Sequence, residues 1–106
     1  MRAGRVSDTA DELIVALCRD YERRKNALFD GVLPHATEME YKYLNYKIFD
    51  AAAETVGERL AEVYVAEIGA HTGYANSTVD SVSEATYKQR KKKIKEAISK
   101  KLHLSF

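Results

Sequence analysis

The sequence predicts an all-α, single-domain bundle of about four helices, over residues 9–30, 37–56, 58–71 and 83–102. Three observations predict it. Apolar residues recur every three or four positions through most of the chain, the period of a helix with one buried face. Breakers are scarce, with one Pro and five Gly in 106 residues, too few for a turn-rich β fold. Three of the apolar runs are preceded by a Ser or Thr with an acid three residues later, the capping-box pattern.

Residues 1–7 read as a flexible arm. The first helix then starts at Thr9, boxed with Glu12, and Asp8 and Asp11 add negative charge at the positive helix end. Ala10, Leu13, Ile14, Leu17, Tyr21 and Leu28 mark its apolar face, with a gap at Arg24. Gly31 is a natural stop, and Pro34 lies three residues beyond it.

Thr37 and Glu40 suggest the second start. Tyr41, Leu44, Ile48, Ala52, Thr55 and Val56 form one face, and Tyr43, Tyr46 and Phe49 widen it. A helix apolar on two sides is central or meets a partner, and a two-fold homodimer through the Tyr41–Phe49 region is expected. Gly57 either ends this helix or bends a rod continuing into residues 58–71. Leu60, Ala61, Tyr64, Val65 and Ile68 carry the period onward, with Gly73 the better C-cap than Gly69. Residues 72–82 are small and polar and read as a loop holding at most one short helical turn. Ser83 can cap the last helix, and Ser81 with Glu84 is the alternative. Tyr87, Ile94, Ala97, Ile98 and Leu102 give that helix a narrow apolar face, and a short tail runs to Phe106.

The charge is near neutral in total and divided along the chain. Residues 83–106 carry eight cations against two acids, a net +6, while residues 1–82 carry nine against fourteen, a net −5. The overall +1 is therefore a cancellation. A helix with a cationic stripe has the charge a nucleic-acid binder needs. Two other readings fit the same run: a solvated face, with Lys favourable near a helix C-terminus, and docking on an acidic protein, including this chain's own acidic body. On the first reading, Lys88, Arg90, Lys91, Lys92 and Lys95 contact phosphates of duplex DNA, and Gln89 is the base reader.

The segment Val82-Ser83-Glu84-Ala85-Thr86-Tyr87, followed by Ile94, resembles the recognition helix of helix-turn-helix proteins of the sigma-factor region 4 and LuxR type. In such a helix Ser83 would be the cap and Tyr87 and Ile94 the core anchors, with Glu84, Ala85, Lys88 and Gln89 left to face a groove. The resemblance covers about 20 residues. Before it, where those proteins place an Ile-Ala-x-x-Leu helix, this chain has Asn76-Ser77-Thr78-Val79-Asp80. In size, helix order and basic C-terminus the chain is similar to small phage and mobile-element regulators of the RinA/ArpU kind. The resemblance implies a cytoplasmic bacterial DNA-binding regulator.

Other chemistry is sparse. The single Cys excludes an intramolecular disulfide and suits a reducing cytoplasm. Cys18 lies on the apolar side of the first helix, where an inert thiol is the default; a nucleophilic role would require His35 or His71 beside it. No two His lie three or four residues apart, so no metal site is expected. No cofactor is expected, because there is no glycine-rich phosphate loop and no nucleophile elbow. Neither a signal peptide nor a membrane span is read, since the longest apolar run, Leu13 to Cys18, falls far short of the roughly 20 residues a span needs.

Overall fold

A computed structural model describes residues 7–79 and 82–104. Within them the chain forms α1 (Asp8–Arg19), α2 (Tyr21–Asp30), α3 (His35–Val56), α4 (Glu58–Gly69), a 3-10 turn (Tyr74–Asn76) and α5 (Glu84–Lys101). The all-α expectation holds, with five α-helices where four were expected. The difference lies in the first predicted helix, which breaks at Asp20. The Arg24 guanidinium takes the Leu17 carbonyl through Nη2 (2.6 Å), and the Asn45 side-chain amide donates to the Tyr21 carbonyl (3.1 Å). In one unbroken helix the Leu17 carbonyl would instead serve the backbone ladder. Arg24 Nε also donates to Asn45 Oδ1 (2.7 Å). The gap in the apolar pattern is thus a guanidinium only 3% exposed, fixed on the broken end of α1.

The helix starts also differ in detail. Ser7, read as part of the arm, caps α1 by accepting from Ala10 N (3.2 Å), and Thr9 lies inside the helix. Met1 to Val6 fall outside the described residues. α3 begins at His35, two residues before the expected box. Pro34 holds the preceding position with φ −55 and ψ 147, needs no N–H there, and accepts Glu38 N on its carbonyl (2.9 Å). Ser83 caps α5 as expected, accepting from Thr86 N (3.1 Å); Ser81, the alternative, lies outside the described residues.

Gly57 separates α3 from α4 and excludes a single rod. Its φ of 87 and ψ of 159 lie in a region essentially restricted to glycine. α4 ends without using Gly73. His71 takes the left-handed conformation (φ 55), His71 N bonds Ile68 O (3.2 Å) and Thr72 N bonds Glu67 O (2.9 Å), the paired bonds of a Schellman turn. α5 ends the same way, with His103 at φ 56, His103 N on Lys100 O (3.2 Å) and Leu104 N on Ser99 O (2.8 Å). The end of the expected tail, Ser105 and Phe106, lies outside the described residues.

The core joins the buried faces of all five helices: Ile14, Val15 and Cys18 of α1, Tyr21 of α2, Ile48, Ala51 and Ala52 of α3, Ala61, Tyr64, Val65 and Ile68 of α4, and Tyr87, Ile94 and Ile98 of α5. Small residues set the spacing between helices. At Gly69 a Cβ would lie 2.6 Å from Arg19 N and 2.7 Å from Arg19 Cα, so the end of α4 touches the backbone of α1 at its break. Gly69→Ala is expected to lower stability by about 1–3 kcal/mol, because neither backbone can withdraw without moving a helix. Gly73→Ala serves as the control: its Cβ meets nothing within 4 Å, and stability should not fall. Urea denaturation of both variants checks the pair.

Candidate nucleic-acid interface

α5 is held to the body by Tyr87, Ile94 and Ile98, exposed 1%, 0% and 0%. This matches the anchoring expected for Tyr87 and Ile94. With that side inward, the helical period of 100° per residue turns Ala85, Lys88, Gln89, Lys92, Lys93 and Lys100 outward, and all six are exposed. Among the described residues Lys88 pairs only with Glu84, on the same helix (2.8 Å). Among the described residues no acid pairs with Arg90, Lys92, Lys93 or Lys100. Arg90, half-buried at one edge, shares with Lys93, Gln89, Thr86, Ala85 and Thr55 an open concavity of about 470 Å³.

Two of the six expected site residues turn elsewhere. Lys91 Nζ donates to the Thr72 carbonyl (2.7 Å) and sits 4.9 Å from the Tyr87 ring centroid. It therefore neutralises the Schellman turn at the end of α4, where carbonyls carry partial negative charge. Burial draws its ammonium below the usual lysine range. Lys95 pairs with Asp11 of α1 (2.9 Å). At the C-terminal end Lys101 bridges Asp50 (2.9 Å) and Glu54 (3.0 Å) of α3. The basic helix thus divides. Lys88, Gln89, Lys92, Lys93 and Lys100 face outward with Arg90 at the margin, while Lys91, Lys95 and Lys101 fasten the helix along its two edges. Docking on the chain's own acidic residues and presentation to solvent both occur, on different sides of one helix.

The orientation of α5 depends on a residue the sequence reading passed over. Glu67, in the last turn of α4, is 7% exposed. Its Oε1 accepts from Ser77 Oγ (2.6 Å) and Tyr87 Oη (2.7 Å). Its Oε2 accepts from Thr78 N and Thr78 Oγ1 (both 2.9 Å). Burial alone would raise its pKa, yet these four bonds to the charged form hold it below the usual carboxylate range. Burial, reinforced by the Glu67 bond, raises the Tyr87 phenol to about 12. The polar loop is therefore ordered by one buried acid. Tyr74 Oη adds a bond to the Val82 carbonyl (2.7 Å), directly before the Ser83 cap. An acid next to the apolar stripe Tyr64, Val65 and Ile68, with Ser77-Thr78 to follow, was the available signal.

Residues 70–83 separate α4 from α5, and their described secondary structure is the single turn Tyr74–Asn76. A helix-turn-helix joins its two helices by three or four residues, a shorter link than α4 and α5 have. Cys18 is 2% exposed, and burial pushes its thiol up to about 12, so it is protonated at neutral pH. His71 lines the same cleft as Cys18; His35 opens α3. Among the described residues no group of three or more His, Cys, Asp or Glu could hold a metal ion, and no helix is long and apolar enough to cross a membrane. No family model, curated protein or solved structure shows a significant similarity to this chain.

Glu67→Gln is expected to cost about 1–3 kcal/mol, since it places an amide N–H₂ among donors that need an acceptor. A carboxylate with a depressed folded pKa stabilises above its unfolded value, about 4.3, and loses that contribution as pH falls through the folded value. The stability difference between wild type and variant should therefore be full at neutral pH and shrink below the ordinary carboxylate range. Chemical denaturation across that acidic window checks it.

Proposed function

We propose that the protein binds duplex DNA through the outward face of α5, as a homodimer, and acts as a small bacterial regulatory protein. One observation supports the DNA contact above the others: Lys92, Lys93 and Lys100 are exposed and, among the described residues, no acid forms an ion pair with them, on the helix that carries the net +6. Each ammonium that displaces a counterion from a phosphate contributes favourably. Gln89, exposed on the same face between Lys88 and Lys92/Lys93, is the base reader in this proposal. Lys91 and Lys95 are reassigned to positioning the helix. The regulatory role rests on the resemblance of residues 82–102 to recognition helices. A second reading, a helical interaction module that contacts no nucleic acid, draws support from Lys91, Lys95 and Lys101, whose ammonium groups are satisfied by protein acceptors.

A fluorescence titration on duplex DNA separates the readings. Four phosphate contacts in each of two subunits predict that affinity falls by about ten-thousandfold between roughly 50 and 200 mM salt. Lys92→Glu/Lys93→Glu should lower affinity and reduce the salt slope by about 4, two lysines in each of two subunits, whereas Lys91→Gln should leave the slope unchanged. Absence of binding at low salt removes the DNA reading, and a double variant that binds like wild type removes the residue assignment.

A further inference from the structure

The first half of α3 has little to pack on. None of its residues before Asn45 is buried, over almost three turns of helix. Isolated helical segments of that length are marginal in water. On the side of α3 opposite the core residues Ile48, Ala51 and Ala52, the chain exposes Met39 (53%), Tyr43 (48%) and Tyr46 (60%). These positions are four and three apart and form one stripe. Beyond its N-terminal end, at the tip of the α2–α3 hairpin, Phe29 and Val32 are exposed by 90% and 84%. Large apolar groups gathered in this way mark an interaction surface.

We propose that this stripe is the homodimer face and that a second copy of this chain covers it with α3 running antiparallel. It deepens the two-fold assembly proposed above, replacing the broader Tyr41–Phe49 region. Tyr41 and Phe49 are half-buried in their own chain, and Arg23 Nη1 already donates to Tyr41 Oη (3.2 Å). The charges beside the stripe select the occupant and its direction. Glu40 and Lys47 are seven residues apart and so lie on the same flank of α3. Glu40 has no ion pair among the described residues. Lys47 rests its ammonium over the Tyr43 and Tyr46 rings, 5.7 and 5.9 Å from their centroids. Antiparallel packing about a two-fold axis brings like flanks together. With the axis beside Tyr43, Glu40 meets Lys47 of the partner subunit, and the symmetry repeats the pair. The tyrosines then stack across the axis with their hydroxyls at the rim, the arrangement in which an amphipathic ring serves best. A parallel pairing would set this flank against the opposite one and leave Glu40 without Lys47.

Light scattering after size exclusion, with circular dichroism as the folding control, tests this. The wild-type chain should have the mass of two subunits at micromolar concentration. Tyr43→Glu/Tyr46→Glu should give one subunit with unchanged helicity, because both side chains point away from the core. Glu40→Lys and Lys47→Glu should each weaken dimerisation by about fivefold or more, and the two together should restore it. A monomeric wild type, or a dimer that survives the tyrosine variant, overturns the face. A double charge reversal no tighter than the single variants overturns the antiparallel register. The same tyrosine variant keeps the α5 face intact, so a DNA titration on it reports the DNA reading separately from the dimer.

Discussion

A carboxylate taken out of water must be surrounded by donors or it neutralises and weakens what surrounds it. Glu67 is surrounded by four hydrogen bonds from three residues, and this single requirement organises one end of the molecule. It draws Ser77 and Thr78 down onto α4, and with them the loop that leads to α5. It also holds the Tyr87 hydroxyl, which with the buried Ile94 and Ile98 sets the rotation of α5 about its own axis. Because helical side chains advance by a fixed angle, setting Tyr87 decides which lysines see solvent and which see protein. The placing of the cationic face thus depends on a buried anion of another helix as well as on the apolar anchors of α5.

The break between α1 and α2 is solved by the same logic with the sign reversed. Arg24 is buried, among the described residues no carboxylate forms an ion pair with it, and its partners are the Leu17 carbonyl and the Asn45 amide oxygen. A guanidinium suits this place, since its fixed fork satisfies a helix end and a side chain together. The break at Asp20 follows, and the break permits the backbone contact at Gly69. Both buried charges therefore sit at interruptions of helices, where unpaired backbone groups supply part of what the charge needs.

Much of the fold was legible because it depended on local pattern. Helix class, the stop at Gly31, the Ser83 cap and the inward placement of Tyr87 and Ile94 all follow from spacing and capping chemistry. The break at Asp20 was not legible. Arg24 appeared only as a gap in an apolar stripe, and what occupies the gap is decided by Asn45, twenty-one residues away. The Thr37–Glu40 box failed for a nearer reason, that Pro34 starts a helix on its own. Within the basic helix, sequence gave the charge but not its division. The roles of Lys91 and Lys95 depend on the Thr72 carbonyl and on Asp11, which no period along residues 83–102 could disclose. Glu67 was missed because an isolated acid in a helix ordinarily faces water.

The fastening of α5 along its edges has a consequence for how the molecule responds to its medium. Lys95–Asp11 and the Lys101 bridge to Asp50 and Glu54 are partly exposed, so ionic strength screens them. The burial of Ile94 and Ile98 is not screened in this way. Rising ionic strength therefore weakens the lysine ties before the apolar seam, so the salt that screens the outward cations also loosens the edges of the helix that presents them.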